Sequence, residues 1–262
     1  MSQQGSRFGE PPVKGGSLRR QTIYCLKPRL HRSDEDSTLV PNLLHAGATT
    51  QLGRFCVSPT GGKMKLIIIG ANGTVGSAIS NELGARHELI RVGKASGDIQ
   101  LDISDSAQIR ALFARTGKVD GVVVAAGSVH FAPLNEIEEQ HFHIGLNSKL
   151  MGQVNVAQIA QAYLHDGGSI TLTSGIVGEV PIRSGVSAAM VNGALEGFVR
   201  GAAIELPRGL RINVVSPGLL EASVAALGSF FPGFEAVSAK RVGLAYAKSV
   251  EGAQTGQVYT VR

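Results

Sequence analysis

Residues 64–262 are predicted to form one α/β domain built on a doubly wound parallel sheet, and three observations carry that prediction. From Lys65 onward, strand-length apolar runs alternate with helix-length segments, the arrangement that builds βαβ units and a parallel sheet. A glycine-rich turn, Gly70-Ala71-Asn72-Gly73-Thr74-Val75-Gly76, stands between the first run and the first helix. The hydrophobic content of 43% is enough to bury one sizeable core, and no repeat or low-complexity tract breaks the pattern.

The elements are expected in this order. Lys65 to Gly70 reads as the first strand, Thr74 to Leu83 as a helix, Glu88 to Val92 as the second strand and Ile99 to Asp102 as a short third. Ser106 to Arg115 is helical, and Gly121 to Ala125 is a buried fourth strand. A long helix over Asn147 to Leu164 leads to a fifth strand at Ser169 to Thr173. Ser187 to Leu206 forms another long helix, and strands at Arg211 to Val215 and Gln257 to Val261 close the sheet. Leu219 to Ala239 is expected to cover the substrate side, with Phe230, Phe231 and Phe234 either as apolar lining or as ordinary core.

Residues 1–63 lack sustained periodicity and are read as a mostly disordered or non-native extension, with Met64 standing just before the first strand. Nine Lys/Arg against four Asp/Glu fall in that stretch, and sixteen against sixteen in the remainder, so the +5 net charge belongs to the extension. A neutral domain with no Trp argues against nucleic acid as a partner. Apolar runs such as Leu66 to Ile69 are far shorter than the roughly 20 residues of a membrane span. Both cysteines, Cys25 and Cys56, lie outside residues 64–262, which fits a reducing cytoplasm and leaves the domain without a cysteine metal site. His141 and His143, two apart, lack the spacing and partner acids of a metal site, and no metal is expected.

The glycine turn opens a helix directly after a strand, so its backbone can approach a pyrophosphate at a helix N-terminus, as in a Rossmann fold. Gly70, Asn72, Gly73, Thr74, Val75 and Gly76 are the candidate phosphate contacts. An NAD site places an acid at the end of the second strand; this chain has Arg91 in the strand and Lys94 after it, which suits the 2'-phosphate of NADP(H) and favours it over NAD(H). Asp102 is placed either to accept from an adenine amine or to cap a helix starting near Ser104; Ile103 follows it.

With these residues in order, the chain from Met64 to Arg262 resembles the short-chain dehydrogenase/reductase family. Ala125-Ala126-Gly127 stands where the family carries Asn-Ala-Gly, Asn147 matches its helix asparagine, and Ser174 its catalytic serine. Ala194 to Phe198, Arg211 to Gly218 (including Pro217 and Gly218) and Thr255-Gly256-Gln257 resemble further family segments. The resemblance implies an NADP(H)-dependent oxidoreductase acting on a small carbonyl or alcohol, a cofactor site that includes Ala126, Gly127, Pro217 and Gly218, and a homodimer or homotetramer packed through the two long helices. It breaks at the family's Tyr-x-x-x-Lys: those positions fall on Ala188 and Asn192, fourteen and eighteen residues after Ser174. Lys149 and His130 are the candidates to replace the tyrosine as proton donor. A second reading stays open, a catalytically silent dinucleotide-binding protein; a purely structural domain would leave the glycine turn unexplained.

Overall fold

A computed structural model describes residues 62–262 of the chain, so the expectation of an extension over residues 1–63 lies outside the described residues apart from Gly62 and Lys63. Seven parallel strands form one sheet in the order β3-β2-β1-β4-β5-β6-β7: β1 (Lys65–Ile69), β2 (Glu88–Gly93), β3 (Ile99–Gln100), β4 (Val119–Val124), β5 (Leu164–Thr173), β6 (Arg211–Pro217) and β7 (Val258–Val261). Helices cover both faces, which is why β1 and β4 read as nearly unbroken apolar runs rather than alternating ones.

The alternation of the strands divides the core in two. Ile67, Ile69, Val122 and Val124 point to one face, where they meet α2 (Ser106–Thr116), α4 (Gly152–Ala160) and α5 (Val186–Ala202) through Phe113, Val156, Leu195 and Val199. Leu66, Ile68 and Val123 point to the other, against α1 (Thr74–Leu83) and α7 (Ala239–Glu251) through Ile79, Leu83, Val242 and Tyr246. Helix α7 was not foreseen from the sequence. Its start is marked by Ser238, whose side chain accepts from the Arg241 amide, and Val242, Tyr246 and Val250 recur at the four-residue spacing of a buried stripe. Gly243 lets α7 approach α1, since a Cβ there would lie 2.8 Å from Glu82 Cβ. The buried Glu82 carboxylate is then met by Lys240 at 2.6 Å and Arg86 at 3.1 Å.

The helix expected over Asn147 to Leu164 is longer and broken. It begins as α3 (Glu139–Ile144), passes through a π-helical turn at Gly145–Met151, and continues as α4. Leu164 belongs instead to β5, where it pairs with Val119 ahead of an irregularity that ends at the Gly121–Ser169 pair. The short helix α6 (Val224–Leu227), flanked by 3-10 turns, lies in the covering segment. No described helix is long and apolar enough to cross a membrane.

The Tyr246 hydroxyl and Thr173 Oγ1 are 2.6 Å apart beneath the sheet edge, and Thr173 Oγ1 also donates to Val124 O. Tyr246→Phe is expected to cost about 1 kcal/mol in urea unfolding, and Tyr246→Ala about 3–5 kcal/mol through the cavity left behind.

Candidate functional site

Strand order reverses between β1 and β4, so the loops leaving their C-terminal ends diverge and open a crevice, the place where doubly wound sheets take ligands. The glycine turn occupies it. A Cβ on Gly76 would lie 1.9 Å from Gly70 O, so only glycine lets α1 start this close to β1. Gly73 precedes α1 in an extended conformation with no side-chain cap, and no acid stands in the first turn. The first amides of α1 are thereby left for an external acceptor, the arrangement that receives a phosphate. Asn72, Gly73 and Thr74 are exposed and Val75 half-buried. Alongside them runs a cleft of about 390 Å³ between Asn72, Thr74 and Asn81 on one wall and Leu220 and Glu221 on the other.

On the β2 side, Asn72 Nδ2 donates to Ser96 Oγ at 2.7 Å, tying the glycine turn to the loop after β2. Lys94 is 80% exposed and pairs with Asp102 at 2.8 Å. Asp102 also accepts from the Ser104 amide and hydroxyl; Lys94 first, then Ser104, hold its carboxyl down to about 2. The cap of α2 is not Asp102 but Asp105, whose side chain accepts from the Ala107 and Gln108 amides. Ile103 is buried against α4, 2.8 Å from the position a Cβ on Gly152 would take.

After β4 the chain passes through Ala126 and Gly127. Gly127 has φ +129°, and a Cβ on it would lie 2.6 Å from Lys149 Cα, so this loop rests directly on the π-helical turn. The turn is defined by the Gly152 amide donating to Asn147 O, a five-residue step that π-helices share and that recurs at functional sites. Asn147 is exposed, whereas Lys149 is half-buried and donates through Nζ to Ser174 O at 2.9 Å. Loss of solvent pushes the Lys149 ammonium down to about 8.

Ser174 is buried at the end of β5, and its hydroxyl donates to Glu196 Oε1 at 3.1 Å. Sequence reasoning missed Glu196 as a partner, although it stands one helical turn beyond Asn192. Asn192 is 2% exposed, and among the described residues neither its Oδ1 nor the buried Ser187 Oγ has a hydrogen-bond partner. Ala188 packs into an apolar cluster with Ile176, Val177, Leu219 and Phe231. Phe230 and Phe234 pack against that cluster, Phe230 beside Phe131 and Phe234 edge-on to Phe231. His130 stacks on His141 with centroids 4.2 Å apart. Pro217 ends β6, and the Gly218 amide donates to Val261 O. Among the described residues no three His, Cys, Asp or Glu side chains come together to hold a metal.

The open amides of α1, the glycine-only approach at Gly76 and the orphaned Asn192 oxygen fit a dinucleotide lying across the C-terminal ends of the strands. Fold and site thus define the class of doubly wound, nucleotide-binding α/β proteins. Residues 72–258 match the family model described as enoyl-(acyl carrier protein) reductase, and the chain belongs to the short-chain dehydrogenase/reductase family of oxidoreductases. Its fold is similar to that of the Listeria innocua protein lin1944, with 47% identity, a TM-score of 0.75, and coverage of 76% of this chain and 100% of that one. A small-chain dehydrogenase in complex with NADPH aligns at 26% identity and a TM-score of 0.67, over 76% of this chain and 96% of the other. The tetrahydroxynaphthalene reductase PfmaG of Pestalotiopsis fici is 30% identical over 185 residues, 61% of this chain and 66% of that protein.

A lysine held below its ordinary value binds fewer protons in the folded state than in the unfolded one between about 8 and 10.5. Stability therefore rises with pH across that window and is reduced below it. Lys149→Met is expected to stabilise the protein at pH 7 by on the order of 1–3 kcal/mol, an advantage that shrinks in urea unfolding at pH 10; an equal effect at both pH values would show that burial does not disfavour the charge.

Proposed function

We propose that residues 64–262 are an NADP(H)-dependent oxidoreductase acting on a small carbonyl or alcohol, with Lys149 in place of the usual phenolic proton donor. The observation that carries this reading is the Lys149 ammonium bonded to Ser174 O at the C-terminal end of β5. When bound, a nicotinamide dinucleotide supplies or accepts hydride. The chain's own residues would then do the rest. The glycine turn and the first amides of α1 hold the pyrophosphate, and Ala126, Gly127, Pro217 and Gly218 border its path. Asp102 and Ile103 flank the adenine end, while Lys94 offers its charge to a 2'-phosphate, with no acid at the end of β2 to compete for a free ribose hydroxyl. Asn147 and Ser174 complete the catalytic edge, and Lys149 holds at Nζ the proton that a carbonyl oxygen needs as it becomes an alcohol. An amine titrating near 8 is mostly protonated at neutral pH and close enough to it to exchange protons readily.

Two exposed methionines, Met151 beside α4 and Met190 on α5, support association through these helices as a homodimer or homotetramer. The alternative, a silent dinucleotide-binding protein, is favoured by the direction of the Ser174 hydroxyl, which is engaged by Glu196. Residues 1–63 are proposed as an extension separate from this domain, and the cysteine-free domain suits the cytoplasm.

NADPH titrated against the full chain by nicotinamide fluorescence is expected to bind at least about tenfold more tightly than NADH, and Lys94→Ala to remove most of that difference. With a carbonyl that turns over, reduction should fall as pH rises through about 8 while Lys149 loses its proton. Lys149→Met should slow it by about 10²–10⁴ with NADPH affinity retained. No turnover across a carbonyl panel, with NADPH bound, would favour the silent binder; no binding of either nucleotide would sink both.

A further inference from the structure

The β4–β5 ladder runs out one rung before β5 ends. The two strands pair as far as Val123 opposite Thr171, whereas the β1–β4 ladder continues past that point, with the Ala125 amide donating to Ile69 O. Thr173 keeps its other neighbour, opposite Val215 of β6. Its backbone N–H and C=O on the β4 side would be buried without partners, at a cost of about 1–3 kcal/mol each.

Gln153 fills that gap. Its Nε2 donates to Thr173 O at 2.9 Å, and its Oε1 accepts from Thr173 N at 2.8 Å. A primary amide presents an N–H donor and a C=O acceptor side by side on one edge, so the side chain acts as a single residue of strand. The residue is completely buried, in the first turn of α4 and directly after the π-helical turn. Four residues earlier on the same helical rod, Lys149 reaches the very next carbonyl, Ser174 O. Consecutive carbonyls of a regular strand face opposite sides, whereas one helix here contacts both. The Ser174 amide still donates to Val215 O, so the chain leaves strand geometry at the Ser174 carbonyl itself.

We propose that Gln153 is a positioning residue of the site: by standing in for the missing β4 rung beside Thr173, it fixes where β5 releases the chain and hence where the Ser174 carbonyl receives Lys149. The role of Gln153 rests on the reading of Lys149 as the proton donor, yet its test needs no substrate. In the full chain, the pH dependence of Lys149 acylation by acetic anhydride, read by peptide mass spectrometry against the exposed Lys118, reports the Lys149 titration midpoint. Gln153→Met keeps the length and loses both hydrogen bonds; the midpoint is expected to rise by at least about one pH unit toward that of an ordinary lysine as the ammonium regains solvent. The same Lys149 titration in both proteins, including failure of either to label at Lys149, overturns the proposal.

Gln153→Glu supplies a second reading should the methionine variant not fold. While protonated, its carboxyl carries one donor and one acceptor like the amide; once ionised, it sets an anion against Thr173 O. Its melting temperature is expected to approach the wild-type value at pH 5 and to fall well below it at pH 9, and a pH-independent deficit counts against the strand-mimic geometry. Absence of NADPH binding by the wild-type chain would remove the proposed function and leave the Gln153 result standing on its own.

Discussion

A parallel sheet is stable because each strand's backbone groups are satisfied by its neighbours, yet a ligand site at its edge requires the strands to part. In this chain one such parting lies between β4 and β5, whose pairing ends at Val123 and Thr171 while β5 runs on to Thr173 beside β6 alone. The groups left exposed there are recovered locally: Gln153 replaces the lost rung beside Thr173, and the Thr173 hydroxyl bridges to Val124 O and Tyr246. The π-helical turn belongs to the same solution, for it brings Lys149 and Gln153 to successive carbonyls at the end of β5.

The electrostatics of the two halves of the crevice differ accordingly. On the β2 side, Lys94 and Asp102 face solvent, so their ion pair is screened and exchangeable, and a phosphate can compete for the ammonium. On the β5 side, Lys149 has little solvent, and among the described residues its hydrogen-bond partner is the Ser174 carbonyl rather than a carboxylate. A charge in that setting is poised to be given up. The proposed function accordingly assigns anion binding to the first end of the crevice and proton transfer to the second.

The sheet, the glycine turn and the two-sided core were legible in the sequence, because apolar runs of strand length between helical stripes leave few other arrangements. Helix α7 was not, although Ser238 and the Val242–Tyr246–Val250 spacing were there to be read; the covering segment drew attention to Phe230, Phe231 and Phe234 instead. The break in the long helix was also hidden, since a π-helical turn leaves the local composition unchanged and depends on the fit against the Gly127 loop. Candidate site positions were legible only where a motif fixed a residue in place. Ser174 was singled out by its motif, but its partner Glu196 and the buried Gln153 were passed over, because side-chain amides and acids on a helix look like solvated positions until the strand they meet is known.

The contact between α1 and α7 has a consequence for how the chain comes to be folded. Glu82 and Lys240, which join the two helices, are 158 residues apart, and Val242, Tyr246 and Val250 supply much of the cover for Leu66, Ile68 and Ile79. In a chain made from its N-terminus, strands β1 to β4 are complete while one of their faces still lacks that cover, and it stays so until α7 has been made. The glycine turn, which α1 must anchor, is made well before the helix that covers α1. Loss of α7 would thus be felt at the glycine turn, far from it in the sequence.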